Sequence, residues 1–109
     1  MNFNEYQQLA ARTMPKLTDD EMTMHALHGM AGEIGELHSV YQKKYQGHYL
    51  SCSGVKKELG DLLWFIAEYC TSMGWEFDEI AELNIEKLKA RYPNGFEVEK
   101  SINRAKGDK

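Results

Sequence analysis

Two acid pairs interrupt two apolar stretches of this chain. Glu33 and Glu36 lie within Gly32-Glu33-Ile34-Gly35-Glu36-Leu37, and Glu58 and Asp61 within Glu58-Leu59-Gly60-Asp61-Leu62. A spacing of three residues puts both members of a pair on one helix face, about one turn apart. Each pair sits inside a run of helical apolar period, which predicts two helices packed together with the four carboxylates converging between them. Like charges gathered in that way repel unless cations lie among them.

The rest of the chain is consistent with helices. Asn2 is an N-cap candidate, with Glu5 in the capping-box position, and Phe3, Tyr6, Leu9, Ala10 and Thr13 form a helical stripe up to about Met14, where Pro15 stops it. Thr18-Asp19-Asp20-Glu21 is a second capping-box pattern, opening a helix that runs to about Tyr45. Gly29, Gly32 and Gly35 interrupt that helix, each at a cost of about 1 kcal/mol relative to alanine. Gly29 and Gly32 share a face with the acids, as expected of a groove that admits another helix or a ligand, and Gly35 suits helix packing.

Residues 46–53 read as a loop with Ser53 as a possible cap. A third helix spans about Gly54 to Met73, ends at Gly74, and is apolar on more than one side, as in a central or interfacial helix. A fourth spans about Glu76 to Tyr92 and stops at the turn Tyr92-Pro93-Asn94-Gly95. Phe96, Val98 and Ile102 remain able to dock, and residues 104–109 are expected to fray. No strand pattern competes. The expectation is an all-α antiparallel bundle of about four helices with short connections.

Composition narrows the function classes. A chain of 109 residues argues for one domain, for which oligomerisation is a common source of added stability. A net charge of −4, with no basic cluster longer than two residues, disfavours nucleic acid and anionic membranes as partners. No apolar run approaches the roughly 20 residues that span a bilayer. Cys52 and Cys70 form no Cys-x-x-Cys motif and read as thiols, and the N-terminus shows no signal-peptide pattern. A cytoplasmic location is the default expectation.

The chemistry of the acids follows from their oxygens. Solvated faces account for most acidic pairs on helices, but buried carboxylates without partners are costly, and these two pairs interrupt a core. An oxygen-only ligand set, with no His or Cys at zinc-like spacing, suits Mg²⁺, or Mn²⁺ as a substitute. Two such ions can clamp a phosphate chain and orient a water for in-line attack. A metal store or a carboxylate-bridged iron site stays open on the same acids. The ferritin-like di-iron pattern, which needs Glu-x-x-His twice, is not met, because Glu36 and Asp61 stand at the partner positions.

Three segments then carry a family resemblance: Gly29-Met-Ala-Gly-Glu33-Ile-Gly-Glu36-Leu, Lys57-Glu58-Leu-Gly-Asp61-Leu-Leu-Trp, and Asn84-Ile-Glu-Lys87-Leu-Lys-Ala-Arg91-Tyr-Pro-Asn-Gly-Phe. Together they resemble the MazG-like family of all-α nucleoside triphosphate pyrophosphohydrolases, with its Glu-x-x-Glu, spacer, Glu-x-x-Asp motif. The paired acids combined with the Arg-Tyr-Pro-x-Gly-Phe ending make the match specific. The resemblance implies a domain over residues 1–96, a C-terminal tail over 97–109 that is partly docked or frayed, and a homodimer or tetramer that completes the bundle. It further implies hydrolysis of a nucleoside triphosphate to monophosphate and pyrophosphate, with Mg²⁺ held by Glu33, Glu36, Glu58 and Asp61 as the catalytic acids. The attacking water would be activated by metal and one carboxylate, Glu36 being the first choice of base.

Supporting residues are assigned against bland alternatives. Lys43 returns to the face of Glu36 and is a candidate triphosphate contact or a solvated lysine. Asn84, on or beside an apolar stripe, is read as a buried amide that serves metal or phosphate, or as a structural cap. Lys87 and Arg91 match the family's basic positions and are candidate phosphate ligands or surface ion-pair partners. His25 shares a face with Gly29 and could line a base pocket. Phe65, four residues past Asp61, could stack on sugar or base, with core packing as the alternative for both. Two other functions stay open: a non-catalytic helical nucleotide-binding or interaction module, and a hydrolase of a related pyrophosphate such as an alarmone.

Overall fold

The computed structural model describes residues 1–104 and 108. Five helices follow one another: α1 (Phe3–Ala11), α2 (Asp19–Tyr45), α3 (Cys52–Met73), α4 (Phe77–Arg91) and α5 (Val98–Ile102). Among the described residues there is no strand, only an isolated bridge between Pro93 and Gly95. No helix among the described residues is long and apolar enough to cross a membrane. Contacts divide the chain into two compact units, Met1–Glu76 and Phe77–Lys109.

Caps set the helix limits. Asn2 accepts a bond from the Glu5 amide at 2.8 Å and starts α1. That helix ends at Ala11 and not near Met14, because the chain tightens before Pro15. Arg12, Thr13 and Met14 donate to the carbonyls of Leu9, Ala10 and Ala11, three residues back. Thr18 and Glu21 form the full reciprocal capping box of α2. The cap of α3 is Ser51 and not Ser53: Ser51 Oγ accepts the Gly54 amide at 3.1 Å, so the helix begins at Cys52. Gly74 closes it in the left-handed conformation, at φ 71°.

In the first unit α2 packs along α3, and α1 lies against α3. The side-chain pairs along the first seam run Thr23 with Ser72, His25 with Glu68, and Gly29 with Phe65. Numbers rise on α2 as they fall on α3, so the two helices are antiparallel, as expected. Ala26, Ala67 and Cys70 are buried, and such small side chains let helices come close. Trp64 ties α3 to the end of α1 by donating from Nε1 to Thr13 Oγ1 at 2.9 Å. Gln7 of α1 donates to Thr71 Oγ1 and to the Trp75 carbonyl. Cys52 is exposed and Cys70 buried, and no disulfide joins them.

In the second unit the turn after α4 closes with the Gly95 amide bonded to the Tyr92 carbonyl at 3.2 Å and Gly95 at φ 88°. The short helix α5 was not expected from the sequence. It lacks a side-chain N-cap bond, and its Val98 and Ile102, like Phe96 before it, are exposed instead of docked. Phe96 packs its ring on Tyr92 at 5.2 Å. The expected fraying of the tail falls largely on residues 105–107 and 109, outside the described residues.

Candidate metal centre

The α2/α3 seam carries polar groups where a bundle of this kind normally buries aliphatic ones. On α3 the seam positions are Glu58, Asp61, Phe65, Glu68 and Ser72, spaced alternately by three and four residues. Glu33 faces them from α2. One carboxylate oxygen from each of Glu33, Glu58 and Asp61 lies within 4.8 Å of the others. At such separations each pair of charges repels by roughly 1–3 kcal/mol between water-like and surface-like dielectrics.

Crowding makes one acid of the cluster hold its proton more tightly than usual. The Glu33 carboxyl is pushed up to about 7, first by its hydrogen bond with Glu58, then by burial and by the charges of Asp61, Glu58 and Glu36. Glu58 Oε2 is buried and has no hydrogen-bond partner among the described residues. A divalent cation would answer both features, replacing the shared proton and supplying a partner for the orphaned oxygen. The donors are all oxygens, so the residues present fit a hard ion such as Mg²⁺ or Mn²⁺.

Glu36 lies outside this close trio. It is exposed one turn further along α2, and its charge reaches Glu33. Gly32 has open space where a side chain would project, so backbone beside Glu33 is accessible. Gly35 has equally open space, with no described residue outside its own helix within 4 Å of where its side chain would start. Gly29 differs, because its missing side chain makes room for the ring of Phe65.

Beyond the acids, Phe65 continues the seam. Trp64 meets its ring edge-on at 5.1 Å, and the His25 ring lies 5.8 Å away at 57°. His25 Nδ1 bonds Glu68 Oε1 at 2.7 Å. The sequence reading did not single out Glu68, although an acid on the same seam as Glu58 and Asp61 was a usable signal. It also missed Tyr6 of α1, whose hydroxyl is raised by burial and by the charge of Asp61. A tyrosine on a packing stripe gives no sign of that neighbour.

Lys43 is exposed in the last turn of α2. Asn84, Lys87 and Arg91 belong to the second unit. Asn84 is exposed, so the expected buried amide is not found. The apolar neighbours on α4, Leu83, Ile85 and Leu88, are themselves exposed and bury nothing around it. Arg91 is engaged, with Nε and Nη2 each 2.8 Å from a carboxylate oxygen of Asp108. Lys87 and Arg104 also act on that carboxylate, so three cations gather around one acid.

Residues 21–96 match the family model of the MazG nucleotide pyrophosphohydrolase domain. No curated protein and no solved structure matches the chain.

Proposed function

This chain belongs to the MazG nucleotide pyrophosphohydrolase family, and from that premise we propose that it hydrolyses nucleoside triphosphates to nucleoside monophosphate and pyrophosphate with Mg²⁺, for which Mn²⁺ can substitute. The observation that carries the reading is the trio Glu33, Glu58 and Asp61, whose carboxylate oxygens gather within 4.8 Å beside a buried Glu58 oxygen that no described residue satisfies.

Glu33, Glu58 and Asp61 would hold the cation, and Glu36 would complete the set from the exposed side. A bound ion supplies charge neutralisation on the phosphates and a more acidic water. Glu36, carrying an accessible carboxylate, takes the proton of the water that attacks the α-phosphorus. The bond from that phosphorus to the oxygen bridging to the β-phosphate breaks, and pyrophosphate leaves. Lys43, Asn84, Lys87 and Arg91 are assigned to the phosphates, and His25 and Phe65 to the nucleoside.

A homodimer or tetramer belongs to the same proposal. Leu27, Ile34 and Tyr41 are exposed at seven-residue spacing on α2, an apolar stripe left open among the described residues. A second copy of the chain, in the cytoplasm where nucleotides are found, is the occupant that this reading supplies.

The test is product analysis with purified protein, Mg²⁺ and a panel of nucleoside triphosphates, related pyrophosphates included. Pyrophosphate and monophosphate should appear together, and Glu58→Gln should abolish both. If no member of the panel is cleaved, or if single phosphate appears instead, the assignment fails.

A further inference from the structure

Glu68 is fully buried, at 0% exposure, and only one of its oxygens is satisfied. Oε1 bonds His25 Nδ1 at 2.7 Å, while Oε2 is buried without a hydrogen-bond partner among the described residues. Burying a carboxylate is costly, and leaving half of it unpaired is more so. A leucine would fill the seam without that cost, so packing does not account for an acid here.

What the acid does is fix His25. With Glu68 as a carboxylate and the ring neutral, Nδ1 donates to Oε1, which holds the ring in one orientation and one tautomer. Nε2 is then the ring nitrogen left for another partner. The His25 side chain is 43% exposed, so an outside ligand can reach it. Beside it stands Phe65, itself fixed by the edge of Trp64 and seated over Gly29. The seam therefore runs from the acids to an aromatic ring and then to an oriented imidazole. His25 and Glu33 are eight residues apart on α2, about 12 Å at the rise of an α-helix. A nucleotide whose phosphates lie at the acids has its base at about that reach.

We infer that Glu68 is a positioning residue for base recognition: it holds His25 so that Nε2 accepts an N–H from the edge of the nucleobase, while Phe65 supports the base's face. This deepens the proposed function and rests on it for the placement of the phosphates. Bases differ in where their edges carry N–H donors, so an imidazole locked in place discriminates among them and a swivelling one does not.

The experiment is equilibrium binding by the full chain, with Mg²⁺, of four nucleoside triphosphate analogues that carry a methylene between the α- and β-phosphorus. Inorganic tripolyphosphate serves as the ligand without a base. The wild type should separate the best from the worst base by tenfold or more. Glu68→Gln and His25→Gln should each compress that range to about threefold and leave tripolyphosphate affinity unchanged. In ¹⁵N spectra the His25 Nε2 resonance should shift when the preferred analogue binds. The inference is overturned if both folded variants keep the wild-type ranking, or if the wild type binds all four equally. A wild type that ignores tripolyphosphate would instead count against the acid site, and the same ranking test on the four free nucleosides then decides the base pocket alone.

Discussion

The ring of Phe65 occupies the place where a side chain at position 29 would lie, and a Cβ on Gly29 would run into three atoms of that ring. The glycine is therefore a contact between α2 and α3 and not a point of slack. At Gly32, one turn on, no described residue outside its own helix lies within 4 Å of where a Cβ would stand. The two glycines predict opposite outcomes. Gly29→Ala should lower stability by about 1–3 kcal/mol through overpacking. Gly32→Ala should raise it by up to about 1 kcal/mol through helix propensity. Urea unfolding of the two variants beside the wild type checks the signs, and equal effects would mean that the Phe65 contact does not form.

The shared proton on the acid trio predicts how pH and metal act together. The Glu33 carboxyl is raised to about 7 by Glu58, by burial and by the neighbouring acids. A raised acid favours the folded state below its unfolded value of 4.5, and that contribution fades as pH climbs through about 7. The metal-free protein should therefore lose thermal stability between pH 4.5 and about 7. A cation must displace the proton, so Mg²⁺ affinity should rise over the same range and binding should release a proton. Calorimetry in buffers of different ionisation enthalpy counts that proton. Glu33→Gln should remove both the proton release and the slope of stability with pH.

Much of this was legible in the sequence because helices write their faces at fixed spacing. The pair Glu58 and Asp61 and the caps Asn2 and Thr18 needed only the rule that residues three or four apart are neighbours, while the approach of Glu33 needed the further step of packing two helices by their apolar faces. The cap of α3 was misplaced because Ser51 and Ser53 are equal as residues, and only geometry shows which hydroxyl meets the Gly54 amide. Asn84 was expected to be buried because periodicity reports which residues share a stripe, not whether anything covers it. Tyr6 near Asp61 and Asp108 on Arg91 join segments far apart in the chain, and no local spacing encodes such pairs.

The buried pair predicts an asymmetric response to substitution. His25→Ala takes the partner from a fully buried acid and should cost about 1–3 kcal/mol. Glu68→Leu fills the same space with a side chain that needs no partner, while water can satisfy the half-exposed imidazole. That variant should be at least as stable as the wild type, and the double variant should recover most of what His25→Ala loses. A Glu68→Leu protein less stable than His25→Ala would mean that Glu68 serves the fold and not the ring it holds.

The carboxylate of Asp108 stands where an anionic ligand of Arg91 would stand. Its two oxygens each accept a guanidinium N–H at 2.8 Å, and Lys87 and Arg104 add to the positive field around it. Arg91 first, then the other cations, hold the Asp108 carboxyl below its ordinary value of 3.8. The ion pair is therefore intact at neutral pH and is lost only as pH falls through that lowered value. If Lys87 and Arg91 take phosphate, the tail acid competes for the same fork of donors. Asp108→Asn should then tighten tripolyphosphate binding several-fold at low salt, an advantage that shrinks as salt screens the field. Arg91→Ala should weaken binding whether or not Asp108 is present. An unchanged affinity in Asp108→Asn, with the loss in Arg91→Ala intact, would show that the phosphate reaches Arg91 by a side the carboxylate leaves open.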